Sequence, residues 1–173
     1  VQTGTGADNI NVDTSALFSS NSAVIKLGAG NDILKLSGVS AAGEYVYGEA
    51  GDDLIYVAGG TTSTDLIDGG EGSDTLAFAS DTTNTLIAKS IENVKVASAT
   101  TKTTAVNFTS VDSAIAIADS GDGATTFSNL KNGSTYTSTV AKTGDVTLNF
   151  ATGQAATVNV DLTKGTAGAV TLT

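Results

Sequence analysis

Four aspartates, Asp8, Asp32, Asp53 and Asp74, follow one another at separations of 24, 21 and 21 residues. The same frame returns around each. Gly6, Gly30, Gly51 and Gly72 stand two residues before; Ile10, Leu34, Ile55 and Leu76 stand two after; Val12, Leu36, Val57 and Phe78 stand four after. The repeat is about twice the spacing of the short apolar alternations that run from Ile10/Val12 to Val170/Leu172 at intervals of roughly 10–11 residues. One repeat is therefore one coil of two strands. Period-two patterning, β-branched residues and Gly/Asn/Asp/Ser punctuation mark sixteen such strands along the chain. No window carries an apolar stripe of helical period, and a single helical turn is expected at Thr14–Ser19.

The two-strand coil selects a solenoid over an antiparallel sandwich. The expected fold is all-β, a two-sheet parallel β-solenoid (a β-roll or β-helix). Each coil turns a corner at the Gly-x-Asp segment and enters a strand whose next apolar residues point inward. Each coil buries them against its neighbours, and eight coils at about 4.8 Å make a rod of about 40 Å.

Charge divides the chain. Residues 1–81 hold nine Asp and three Glu against Lys26 and Lys35, a net of −10, whereas residues 82–173 balance six Lys against five Asp and one Glu. The whole acidic excess sits on the repeat, which disfavours nucleic acid as a partner and calls for something cationic there. There is no Cys or His, so a disulfide framework, a thiol nucleophile, a Ser-His-Asp triad and a His-ligated zinc are all excluded. Carboxylates, hydroxyls and carbonyls remain, the donors that hard cations prefer. No apolar run is long enough to span a membrane, and no enzymatic activity is expected. The chain stops within an apolar alternation, as a piece of a longer array would.

The turns read Gly4-Thr5-Gly6-Ala7-Asp8, Gly28-Ala29-Gly30-Asn31-Asp32, Gly48-Glu49-Ala50-Gly51-Asp52-Asp53 and Gly69-Gly70-Glu71-Gly72-Ser73-Asp74. They resemble the Gly-Gly-x-Gly-x-Asp-x-U-x nonapeptide of the RTX family of secreted bacterial proteins, U being a large apolar residue. The last copy matches every fixed position; in the others Thr3, Leu27 or Glu49 replaces an opening glycine. The resemblance implies Ca²⁺ between adjacent turns, bound by Asp8, Asp32, Asp53 and Asp74 and by the turn residues Gly4, Gly6, Gly28, Gly30, Asn31, Gly48, Ala50, Gly51, Asp52, Gly69, Glu71, Gly72 and Ser73. Four stacked turns leave three gaps, hence about three sites. An Asp column lacking cations would stack like charges about 5 Å apart, so binding and folding are expected to be linked. On the opposite edge Gly60–Ile67 keeps an echo of the motif, with Glu44 lying 21 residues before Asp65; Asp65 is the candidate ligand of a partial site, the alternative being a corner held by hydroxyl and backbone hydrogen bonds.

Past residue 80 the motif fades while the strand rhythm continues, dividing the chain into calcium-binding coils (1–80) and a calcium-poor continuation (81–173). Ser90-Ile91-Glu92-Asn93-Val94 enters a fifth coil with Glu92 at the Asp position and no glycines. That passage resembles the strand that succeeds such blocks in bacterial surface-layer proteins. The resemblance implies a secreted structural segment that assembles with copies of itself in a lattice, with cell-surface polysaccharide as a further partner, exported by a type I secretion system. The alternatives are a stalk of a large RTX adhesin, or the secretion and folding module of an RTX hydrolase or toxin. Asp119-Ser120-Gly121-Asp122-Gly123 reads as a solvated loop, with a further calcium loop as the alternative. Asp13, Asp68 and Asp81 read as solvated charges, with Asp68 or Asp13 completing an ion's shell through water as the alternative; Tyr45, Tyr47 and Tyr56 read as a packing cluster near one coil in preference to a sugar-binding platform.

Overall fold

A computed structural model describes residues 1–14, 22–37, 43–78, 84–97, 103–108, 114–153, 157–162 and 168–173. All but the first residue of the expected turn at Thr14–Ser19 lie outside them, as does Asp81. Among the described residues there is no helix; sixteen strands alternate between two sheets. The first sheet holds β1 (Asn9–Asp13), β3 (Ile33–Ser37), β5 (Leu54–Val57), β7 (Thr75–Phe78), β9 (Asn93–Val96), β11 (Ala116–Asp119), β13 (Thr135–Ser138) and β15 (Asn159–Asp161) in that order. The second holds β2 (Ala23–Lys26), β4 (Glu44–Tyr47), β6 (Leu66–Asp68), β8 (Asn84–Lys89), β10 (Thr103–Phe108), β12 (Ala124–Leu130), β14 (Val146–Phe150) and β16 (Val170–Leu172). Each strand pairs in parallel with the next strand but one, which is the two-sheet parallel β-solenoid expected from the sequence.

The register is the sequence repeat made physical. Leu34 lies beside Ile55, Ile55 beside Leu76 and Leu76 beside Val94, so equivalent residues of successive coils stack at one height. Alternation sends Leu34, Leu36, Ile55, Val57, Leu76 and Phe78 inward from the first sheet, against Ile25, Val46, Ile67, Leu86 and Val106 of the second. Both sheets continue past residue 80. There the core is filled by larger side chains, with Phe108, Phe127 and Tyr136 meeting at centroid separations of 6.3 and 6.5 Å.

Alternation also separates the three tyrosines. Tyr45 and Tyr47 face outward from β4, and Tyr56 faces outward from β5 on the other sheet, so they do not form one cluster. Asp68 is not a free solvated charge, because its carboxylate lies 2.8 Å from the Lys89 ammonium one coil on.

Candidate metal centre

Three turns of equal length carry the chain from the second sheet back to the first: residues 27–32, 48–53 and 69–74. Their backbones stack like short strands, with Thr5, Ala29, Ala50 and Glu71 as isolated parallel bridges. The amides of Gly30 and Gly51 donate to the carbonyls of Ala50 and Glu71 at 2.8 Å, and the amides of Ala29 and Ala50 donate to those of Gly4 and Gly28 at 3.1 and 3.0 Å. Gly6, Gly30, Gly51 and Gly72 hold φ between 121° and 137°, a conformation open to glycine. In the neighbouring row Gly28 and Gly70 have φ of 96° and 101°, and Glu49 is forced to 75°.

The four predicted aspartates form one column. The amide of each donates to a carboxylate oxygen of the next: Asp8 to Asp32 at 2.7 Å, Asp32 to Asp53 at 2.8 Å and Asp53 to Asp74 at 2.9 Å. Asp74 in turn donates to Glu92 Oε2 at 2.8 Å, so Glu92 holds the fifth place in the column. Asp8 is partly exposed, whereas Asp32, Asp53 and Asp74 are 1%, 2% and 0% exposed. Each of these three uses one oxygen in the ladder. The other, Oδ2, receives no hydrogen bond from the described residues. A buried carboxylate oxygen without a donor costs several times a normal hydrogen bond.

The surroundings of those oxygens are informative. A Cβ built on Gly48 would collide with Asp53 Oδ2 and with the Gly69 carbonyl oxygen. A Cβ on Gly69 would collide with Asp74 Oδ2 and the Ser90 carbonyl oxygen. At both positions a carboxylate oxygen and a carbonyl oxygen of the next coil converge over a bare α-carbon. At the Asp32 turn the equivalent position is Leu27, fully buried. In the first turn it is Thr3, whose hydroxyl donates to the Leu27 carbonyl.

Burial raises the carboxyl pKa of Asp53, and the charges of Asp32 and Asp52 add to the effect. Asp74 is pushed up to about 6 by burial, with Asp53, Glu92 and Asp52 contributing repulsion. Outside this column runs a second ladder of predicted residues. The amide of Asp52 donates to Asn31 Oδ1 at 3.0 Å and that of Ser73 to Asp52 Oδ1 at 2.8 Å, which occupies the Asn31 and Asp52 side chains in holding the turns together. Among the described residues no three carboxylates converge on one point, so an ion here must take most of its oxygens from the backbone.

The fifth turn shows how the column ends. Ser90-Ile91-Glu92 is three residues shorter than Gly69–Asp74 between matching strand ends; Ser90 turns with φ 49° and Ile91 is buried in the core.

Asp65 lies on the opposite edge, apart from the column. Its Oδ1 accepts the Glu44 amide at 2.9 Å and its Oδ2 the Thr62 amide at 2.6 Å. Both oxygens are spent on backbone donors, the arrangement of a turn-closing aspartate.

The sequence missed a further buried carboxylate on that edge, beyond Glu44 and Asp65. The expectation of a solvated loop at Asp119–Gly123 is wrong at its first residue, since Asp119 is 0% exposed. Its Oδ2 lies 2.7 Å from the Lys142 ammonium and accepts the Tyr136 hydroxyl at 2.7 Å, while Oδ1 accepts the Gly121 amide at 3.0 Å. Lys142 is equally buried. Lys142 and Tyr136 come from the following coil, so no local signal in the sequence marks them.

Comparison with known protein families, with curated proteins and with solved structures finds no match.

Proposed function

We propose that this chain is a calcium-dependent structural segment and that the column from Asp8 to Asp74 holds the ions. The observation that carries the reading is the convergence at Gly48 and Gly69 of an undonated buried carboxylate oxygen with a carbonyl of the next coil. Calcium suits this donor set, because it takes six to eight oxygens in irregular geometry and accepts carbonyls as readily as carboxylates. When bound, it supplies the positive charge that the column lacks. The chain's own residues prepare the place. The ladder bond to Asp32 fixes one oxygen of Asp53 and leaves the other facing Gly48; the bond to Asp53 does the same for Asp74 facing Gly69.

Protons alone serve poorly at neutral pH. With its carboxyl at about 6, Asp74 is mostly ionised at pH 7 and repels its neighbours. The coils would then stack only weakly until a cation arrives, which links folding to the ion. Extracellular calcium modules bind at about 10⁻⁴–10⁻³ M, well above cytosolic calcium. The acidic coils would remain open inside the cell and fold outside. The turn motif and the Thr/Ala/Val-rich strands support, by likeness, a secreted surface layer that assembles from copies of one protein.

Native mass spectrometry of the chelated chain with added calcium tests the ion count. The three buried carboxylates of the column predict about three ions, and the two beside Gly48 and Gly69 bind before the one beside Leu27. No bound calcium at millimolar concentrations overturns the reading. Electron microscopy of the intact protein tests assembly: a two-dimensional lattice that dissolves in chelator supports a surface layer, and dispersed rods contradict it.

A further inference from the structure

The second half of the solenoid also buries a carboxylate at a coil corner, yet treats it differently. Asp119 closes β11 on the edge opposite the acidic column, and both its oxygens are satisfied from within the chain. The Lys142 ammonium donates to Asp119 Oδ2 at 2.7 Å and to the Gly121 carbonyl at 3.1 Å. It thus bridges a buried carboxylate oxygen and a turn carbonyl, the same pair of oxygen types that converges at Gly48 and Gly69. Tyr136 and Thr125 complete the surroundings, their hydroxyls 2.7 and 3.4 Å from Oδ2. Burial and the Asp119 charge hold the Tyr136 hydroxyl protonated well above its ordinary range, so it remains a donor.

We propose that the Asp119 corner is a cation site filled by the chain's own Lys142, and that this tethered ammonium lets residues 114–153 keep their structure without bound metal. The distribution of charge agrees with it. Among the described residues the acidic column has no buried lysine, since Lys26 and Lys89 are paired on the outer face, whereas Asp119 meets a lysine with both side chains fully buried. Each coil rests on its neighbours, so a corner neutralised internally can stand while a distant, ion-dependent stretch opens.

The proposal rests on the Lys142 geometry and not on the calcium reading, and one experiment separates them. Hydrogen exchange followed by mass spectrometry is run on the full chain in calcium and in EGTA, for the native protein, Lys142→Met, and Asp119→Asn with Lys142→Met. In the native protein, chelation is expected to release protection in 1–78 and to spare 114–153. Lys142→Met strands a buried carboxylate and is expected to speed exchange in 114–153 roughly a hundredfold or more, calcium or not. The double variant removes the charge as well and is expected to restore most of the protection. Unchanged exchange in Lys142→Met overturns the proposal. A double variant as exchangeable as the single one overturns it too, because Lys142 would then act by packing and not by charge. Loss of protection in 114–153 of the chelated native protein removes the metal independence. If chelation alters neither half, the calcium reading fails and this proposal stands.

Discussion

The backbone amide of Asp53 donates to Oδ1 of Asp74, 2.9 Å away and one coil on, while Oδ2 of Asp74 has no donor among the described residues. One side chain thus performs two tasks. Its first oxygen joins adjacent coils and sets their register; its second is left charged, buried and facing a carbonyl.

That division predicts opposite signs for Asp74→Asn in two buffers. The amide oxygen can still accept from Asp53, and the new N–H₂ stands over Gly69, where the Ser90 carbonyl also lies. In chelator the variant should be more stable than the native chain by about 1–2 kcal/mol, since an undonated buried charge is gone. In calcium it should be less stable, having lost a ligand. Thermal unfolding in EGTA and in 10 mM calcium (about ten times the weak end of the expected affinity range) reads both signs. An equal shift in the two buffers counts against the assignment.

The raised carboxyl of Asp74 gives the chelated protein a characteristic pH dependence. Its pKa rises from an ordinary 3.8 to about 6, so between these values the folded state holds a proton that the unfolded state has lost. The stability this lends is complete below about pH 4 and disappears as pH rises through about 6. Asp53 shifts in the same direction and adds to the slope. Urea midpoints in EGTA should therefore fall from pH 4 to pH 7. In calcium the trend should weaken or reverse, because the ion competes with the proton for the same oxygens. A flat profile in both buffers would be inconsistent with this.

Glu49 offers a gain. It holds φ 75° in a row where its neighbours Gly28 and Gly70 are glycines at 96° and 101°. A side chain in the left-handed region costs about 1–2 kcal/mol. Glu49→Gly relieves that cost and forfeits an exposed pair with Lys26 at 3.4 Å, itself worth about 0–1 kcal/mol. A net stabilisation of about 0.5–1 kcal/mol is expected in urea unfolding.

Two glycine substitutions separate the site from its scaffold. Gly69→Ala places a methyl group against Asp74 Oδ2 and the Ser90 carbonyl, and should abolish one ion and cost about 1–3 kcal/mol. Gly4→Ala meets nothing within 4 Å and should alter neither ion count nor stability appreciably. Calorimetric titration of both variants reads the difference.

Much of this architecture was legible because the repeat fixes it twice. Asp8, Asp32, Asp53 and Asp74 mark the coil length, and Leu34, Ile55 and Leu76 mark the face that must be buried, so strands, sheet partners and the column all follow from spacing. The fates of the individual oxygens did not. Asn31, Asp52 and Ser73 share the motif's spacing with the inner aspartates, yet they join turns on the outside. Asp65 echoes the motif but spends both oxygens on the Glu44 and Thr62 amides. Asp119 was illegible for a further reason. Asp-Ser-Gly-Asp-Gly has the composition of a solvated turn, and its burial is decided by Tyr136 and Lys142, brought over it by the stacking of a coil that carries no motif.

Whether the acidic coils fold only around calcium is decided by titrating the ion into the chelated full chain at pH 7, followed by far-ultraviolet circular dichroism. A β-sheet signal reduced in EGTA by the share of the acidic coils should rise cooperatively with a midpoint of about 0.1–1 mM, while magnesium at equal concentration has little effect. A spectrum already fully β in EGTA and unchanged up to 10 mM calcium, about ten times the weak end of that range, would contradict ion-dependent folding.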